Sequence, residues 1–187
     1  LMRIHPFVAF TYDKETTADK KISVVEIGSA LTHAHPRSRM ACGVYAFIMW
    51  TILDEPCKES VYGGLRAAEE FYLKKGGSNC SYAREIGKFN RLFDKNFAKL
   101  PRDRIKSSGY VIDSLEAAVW CLLTTDCYAD CVLKAVNLGS DTDTVGAIAG
   151  GLAGAMYGDD AIPKEWRKTL IRRDYIESLC EKASFVR

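Results

Sequence analysis

An all-α fold is predicted from three observations. Apolar residues recur at helical spacing almost throughout, no alternating run is long enough for a convincing strand, and the connections between periodic segments are short. We expect one domain, residues 1–187, built as a compact orthogonal multi-helix bundle without significant β-sheet.

The elements follow in order. From Thr17 to Thr32, Val24, Ile27 and Leu31 share one face of a helix. Pro36 opens a second helix, to about Leu53, with Cys42, Val44, Tyr45, Phe47, Ile48 and Trp50 making it apolar nearly all round, hence central. A third, amphipathic helix runs from Lys58 to Lys75 and is expected to end at Gly76-Gly77. A weaker, more polar one is expected from Ser81 to about Phe97. The charged connector Leu100 to Ser108 contains Pro101. It precedes a strong helix, Ile112 to Leu123, whose core stripe is Leu115, Ala118, Val119 and Leu122. Thr125-Asp126 resembles an N-cap for the next helix, to about Leu138. A glycine-alanine helix follows from about Thr144. Pro163 opens a short helix around Trp166, and Asp174 is placed to cap a last one. The tail from Ile162 onward reads as packing.

Composition narrows the function. Net charge is +2 and the basic residues are scattered, so no stripe for reading nucleic acid is present; Arg37, Arg39, Arg102, Arg104 and Lys106 read as solvated faces. No apolar run reaches the ~18 residues of a bilayer helix, and no signal peptide is visible. Seven cysteines without a CxxC pair read as reduced, partly buried thiols in a cytoplasmic protein. The opening LMRIHPF has an apolar pattern already under way, and reads as the middle of a longer protein.

The chemistry concentrates at GSDTDTVGAIAGGLAGAMYG, Gly139 to Gly158. With the helix beginning only at about Thr144, Asp141 and Asp143 lie in an extended segment, where residues two apart point to one side. Two carboxylates and the Thr144 hydroxyl suit a hard cation such as Mg²⁺, Mn²⁺ or Ca²⁺. Helix capping by one aspartate is the plainer alternative. An EF-hand starting at Asp141 fails because its twelfth position is Leu152 rather than Glu. A DxDx(T/V) phosphatase motif matches Asp141 to Val145, but it should end a parallel strand, and the preceding CVLKAVNL reads as a helix. Gly146, Gly150, Gly154 and Gly158 recur on one face. Interior glycine costs about 1 kcal/mol against alanine, so close approach of another backbone is expected there.

The stretch Gly139 to Gly158 resembles the C-terminal signature of the ADP-ribosylglycohydrolase family. LMRIHP at the start, SALTHAHPRS at Ser29 to Ser38 and GYVIDSLEAAVWC at Gly109 to Cys121 fit in the family's order, so the resemblance covers nearly the whole chain. It implies an all-α fold, a site for two Mg²⁺ ions (or Mn²⁺), and magnesium-dependent hydrolysis of the N- or O-glycosidic bond between ADP-ribose and a protein side chain or small adduct. Asp141, Asp143 and Thr144 would be metal ligands, with Asp143 also serving catalysis. His33, Tyr110 and Ser140 would bind substrate.

The family's N-terminal half carries a Thr-Asp-Asp metal motif, an acidic catalytic residue and a glycine-rich substrate loop, and these are absent from this sequence. The chain is therefore expected to be inactive alone and to have the N-terminal half as a partner. A non-catalytic structural or ADP-ribose-binding member of the same fold is the alternative. His35 reads as a cap or core histidine ahead of Pro36, Glu116 as structural and paired with a basic residue, and Arg3 matches a family motif without an assigned role.

Overall fold

Two central helices organise the molecule. They are α3 (Pro36–Asp54) and α9 (Thr142–Tyr157), and they pack against each other and against most of the remaining helices. The structure, a computed structural model, describes residues 1–78 and 80–184. Among these residues there is no strand, which bears out the all-α expectation and removes the phosphatase alternative, since that motif needs a parallel sheet.

The surrounding helices are α1 (His5–Phe10), α2 (Ala18–Ala30), α4 (Lys58–Ser78), α5 (Cys80–Glu85), α6 (Asn90–Phe93), α7 (Val111–Leu123), α8 (Tyr128–Val136), α10 (Lys164–Thr169) and α11 (Arg173–Ser184). Helix α3 is buried as its composition requires, with Tyr45, Ile48 and Ile52 fully enclosed. The α7 stripe Leu115, Ala118, Val119 and Leu122 is likewise buried, against α9 and α8. The short helix α1 is tied down by the Trp50 indole N–H, which donates to the Val8 carbonyl at 3.0 Å. No described helix is long and apolar enough to cross a membrane.

Several expectations change. Val24 and Ile27 of α2 and its C-cap Leu31 are exposed, Leu31 to 67 %. The face that turns inward carries Ile22, Val25, Glu26 and Ser29, and the ring of Phe7 lies 2.8 Å from where a Cβ on Gly28 would stand. The reason is Glu26. It is 3 % exposed and accepts from the hydroxyls of Tyr72 (3.1 Å) and Tyr82 (2.8 Å) and from Lys75 Nζ (3.2 Å). A buried carboxylate must keep its partners, and that demand outweighs the gain from turning three aliphatic side chains inward.

Helix α4 runs through Gly76 and Gly77 instead of stopping there. The missing side chain at Gly76 lets the backbone of Ala83 in α5 come within 3.4 Å of its Cβ position. The expected Ser81–Phe97 helix is instead broken into α5, a 3₁₀ turn Ile86–Phe89, α6 and a second 3₁₀ turn Phe97–Lys99. The N-cap of α8 is Cys127, whose sulfur accepts from the Asp130 N–H at 3.4 Å, and not Thr125-Asp126. Cys42, Cys121 and Cys131 are buried, whereas Cys127 and Cys180 are exposed. The tail is less packed than expected: Leu170, Ile171, Tyr175, Ile176 and Leu179 are exposed.

Candidate functional site

The acidic segment is built by its backbone first. Gly139 (φ +84°) and Ser140 (φ +58°) take consecutive left-handed conformations, a turn that reverses the chain between α8 and α9. For serine this conformation is uncommon and is held by its surroundings. The Ser107 hydroxyl donates to the Gly139 carbonyl at 2.9 Å, and the Asp141 N–H donates to the Ser107 carbonyl at 3.0 Å. The segment leading into α7 therefore clamps the segment leading into α9.

Helix α9 begins at Thr142, earlier than expected, so Asp143 stands in its first turn and not in an extended segment. The two carboxyls nevertheless meet. The hydrogen bond with Asp141, followed by the backbone N–H groups of Thr144 and of Asp143 itself, pulls the Asp143 carboxyl below its ordinary range. Asp141 occupies the N-cap position without making a side-chain cap bond, so capping does not account for its carboxylate. Neither aspartate has a lysine or arginine counter-ion among the described residues.

Four further segments close a ring around this acidic start. Met2 Sδ accepts from the Thr144 hydroxyl at 3.4 Å. The next residue, Arg3, donates to Thr32 Oγ1 at 3.0 Å, and Thr32 Oγ1 lies 2.9 Å from His33 Nδ1. His35, the N-cap of α3, accepts from the Arg37 N–H at 3.2 Å, which leaves it a capping role. The Arg37 guanidinium sits 5.5 Å from the centre of the Tyr110 ring and is held from behind by Glu85 Oε2 at 2.6 Å. That bond to Glu85 raises the Arg37 pKa above its ordinary value. Beside Tyr110, the Cβ position of Gly109 is 3.1 Å from Asp141 Oδ2, which returns the path to its origin.

Thus Asp141, Asp143, Thr144, Ser140, His33 and Tyr110 all belong to one surface region. The N-termini of α3, α7 and α9 meet there as well, each carrying a partial positive charge, although at α3 the Arg37, Ser38 and Arg39 N–H groups are already taken by His35. Tyr110 is 40 % exposed, with the Arg37 guanidinium lying over its ring.

Sequence reasoning missed Arg37, read as a solvated side chain, and the bridging residues Met2, Arg3 and Thr32. Arg3 had a motif but no partner, and its partner is 29 residues away in the chain. The glycine face of α9 meets side chains and not a backbone: Gly146 faces Val136 at 3.0 Å and Gly150 faces the Tyr128 hydroxyl at 3.5 Å. The expected partner for Glu116 is Arg91, and Glu116 itself is 3 % exposed. A cavity of ≈ 1100 Å³ lies away from the acidic segment between α1 and α11 and is apolar, lined by Phe10, Val24, Met49 and Leu179 among others.

The donor set fits a hard cation in kind but not in number. All its atoms are oxygens, two of them carboxylates without a basic counter-ion. Two octahedral ions need about ten to twelve coordination positions, and among the described residues no group of three or more His, Cys, Asp or Glu stands ready to hold a metal.

The fold is thus an all-helical domain that gathers paired carboxylates, a histidine and an exposed tyrosine where three helix N-termini meet. Over residues 1–187 it matches the family description ADP-ribosylglycohydrolase, and the chain belongs to that family. It is 32 % identical over 160 residues to the ADP-ribosylarginine hydrolase Tri1 of Serratia proteamaculans (strain 568), a match covering 84 % of this chain and 39 % of that protein. It is 43 % identical over 65 residues to the ADP-ribosyl-(dinitrogen reductase) glycohydrolase of Rhodospirillum rubrum, covering 35 % of this chain and 22 % of that one. A solved structure titled ADP-ribosylglycohydrolase-related protein complex superposes with a TM-score of 0.70 at 28 % identity, covering 93 % of this chain and 56 % of the other. The chain thus spans well under two thirds of the length of these relatives.

Proposed function

We propose that this chain carries one side of the active site of an ADP-ribosylglycohydrolase, which hydrolyses the glycosidic bond linking ADP-ribose to a protein side chain or small adduct. The observation that carries the reading is the joining of Asp141, Asp143 and Thr144 to His33 and Tyr110 around one surface, on an all-helical family fold. Asp141, Asp143 and the Thr144 hydroxyl would hold Mg²⁺ (or Mn²⁺), two ions in the complete site. Bound there, the metal would supply Lewis acidity and a template for the ribose hydroxyls. Tyr110 offers a stacking face to a base or sugar, and Ser140 and His33 offer polar contacts. The three helix N-termini favour the diphosphate.

Two carboxylates and a hydroxyl are too few ligands for two ions, so in this reading the chain alone is inactive. A further segment, the family's N-terminal half, completes the coordination and covers the exposed apolar side chains Phe10, Val24, Ile27 and Leu31. The complete protein acts in the cytoplasm. A non-catalytic ADP-ribose-binding role is the second reading, favoured by that same shortage of ligands.

The test is the melting temperature with and without Mg²⁺ plus ADP-ribose, beside an Asp141→Asn/Asp143→Asn double variant. A ligand at a hundredfold excess over Kd adds about 2.7 kcal/mol of stability. The expected outcome is an upward shift in the wild type that the double variant lacks. Equal shifts in both would remove the aspartates from the site.

A further inference from the structure

We propose that Arg3 and Thr32 form a hydrogen-bond relay that holds His33 in the Nε2–H tautomer, so that its outer nitrogen is a fixed donor facing the site. A guanidinium only donates, and Arg3 Nη2 donates to Thr32 Oγ1 at 3.0 Å with a weaker approach to the Gly28 carbonyl at 3.5 Å. One lone pair of the threonine oxygen is therefore taken. The cationic donor polarises the hydroxyl, which strengthens its proton as a donor and weakens its oxygen as a second acceptor. His33 Nδ1 lies 2.9 Å from that oxygen. The threonine proton goes to Nδ1, Nδ1 carries no proton, and the proton of the neutral ring resides on Nε2.

The backbone under the ring is held independently. The His33 N–H donates to the Ser29 carbonyl at 2.8 Å, and the Ser29 hydroxyl donates to the His33 carbonyl at 3.2 Å. Position therefore comes from the end of α2, and orientation and tautomer come from Arg3 and Thr32. The relay also links the two sides of the site, because Met2, next to Arg3, rests on the Thr144 hydroxyl. Arg3 and Thr32 are positioning residues. The group presented to a ligand is His33 Nε2–H, which suits an acceptor oxygen such as a ribose hydroxyl or a phosphate; this last step rests on the ADP-ribose reading above.

The experiment is nitrogen-15 spectroscopy of the imidazoles at a pH where they are neutral. His33 is assigned by the signals lost in His33→Asn. In the wild type, we expect a protonated Nε2 and an unprotonated Nδ1 at distinct, unaveraged shifts. Thr32→Val and Arg3→Met should move the pair toward the averaged pattern of a free imidazole, and Thr32→Ser should restore it. Far-UV circular dichroism of each variant establishes that it is folded; all three positions are exposed. An averaged pattern in the wild type, a protonated Nδ1, or a pattern unmoved by Thr32→Val would overturn the relay. Titration with ADP-ribose and Mg²⁺ then separates the two readings. Perturbed His33 signals with affinity about five- to tenfold weaker in Thr32→Val support both. An intact relay whose signals ADP-ribose leaves unmoved sinks the ligand assignment and leaves the relay standing.

Discussion

Gly109 lies directly against Asp141: a Cβ at position 109 would stand 3.1 Å from Asp141 Oδ2 and 4.0 Å from its Cγ. The glycine precedes Tyr110 and α7, while the aspartate precedes α9, so the two helix starts approach through a residue without a side chain. Gly109→Ala should leave the fold intact, since the flexible carboxylate can yield a few tenths of an ångström. It should displace Asp141 relative to Asp143 and reduce the Mg²⁺-dependent rise in melting temperature. A rise equal to the wild type's would show that the position of Asp141 does not govern cation binding.

Gly151 and Gly63 make opposite predictions from the same kind of substitution. A Cβ at Gly151 would overlap the ring of His5 and the hydroxyl of Tyr45, which lies 2.6 Å from that position. Gly151→Ala overpacks the junction of α1, α3 and α9 and should cost about 1–3 kcal/mol in urea denaturation. At Gly63, within α4, a Cβ would meet nothing within 4 Å. Gly63→Ala should add roughly 0.5–1 kcal/mol through helix propensity.

His5 sets an acid limb of stability. Its Nε2 lies 3.2 Å from the Ala147 carbonyl, so this nitrogen carries the proton, and Nδ1 accepts from the Tyr45 hydroxyl. Burial raises the Tyr45 pKa, so its hydroxyl keeps the proton it donates. Burial also lowers the His5 pKa below the ordinary histidine value of 6.5. Below that value the unfolded chain binds the proton more readily than the native one. The contribution of His5 is therefore complete above pH 6.5 and is lost as pH falls through the native pKa. In His5→Gln that limb of the unfolding free energy should flatten; an unchanged limb would assign it to other groups.

The thiols divide by burial. Burial pushes Cys121 up to about 12 and Cys131 up to about 11, so both are protonated and enclosed. With an aromatic disulfide reagent at neutral pH, Cys127 and Cys180 should react in the native protein, whereas Cys42, Cys121 and Cys131 should react only on unfolding. Modification of Cys121 at the rate of Cys127 would contradict the packing of α7 on α8.

The helices α3 and α7 were legible in the sequence because their apolar patterns repeat within a turn or two. The Pro36 start and the placement of the acidic pair at the mouth of α9 were legible for the same local reason. The inward face of α2 was not. Val24, Ile27 and Leu31 form a proper stripe, yet Glu26 takes the interior because Tyr72, Tyr82 and Lys75 from α4 and its continuation receive it. The site was legible as a set of residue types, but its construction was not. The start of α9 at Thr142 was misplaced by two residues, and Arg37 was read as solvated although Glu85 aims it at Tyr110.

By itself, then, the sequence determined the all-helical class, the order of the main helices and the oxygen-rich character of the Asp141–Thr144 segment. Those properties depend on backbone geometry and side-chain chemistry within a few neighbouring residues. Only the tertiary structure decided that Arg3 reaches Thr32, that Arg37 lies on Tyr110, and that Gly109 admits Asp141. These pairs are separated by roughly thirty to seventy residues, and they form only once the packing of α3 and α9 brings their segments to one place. Helical periodicity specifies which face of a helix is apolar, but which neighbour meets that face is settled by the competition among all faces for the same core.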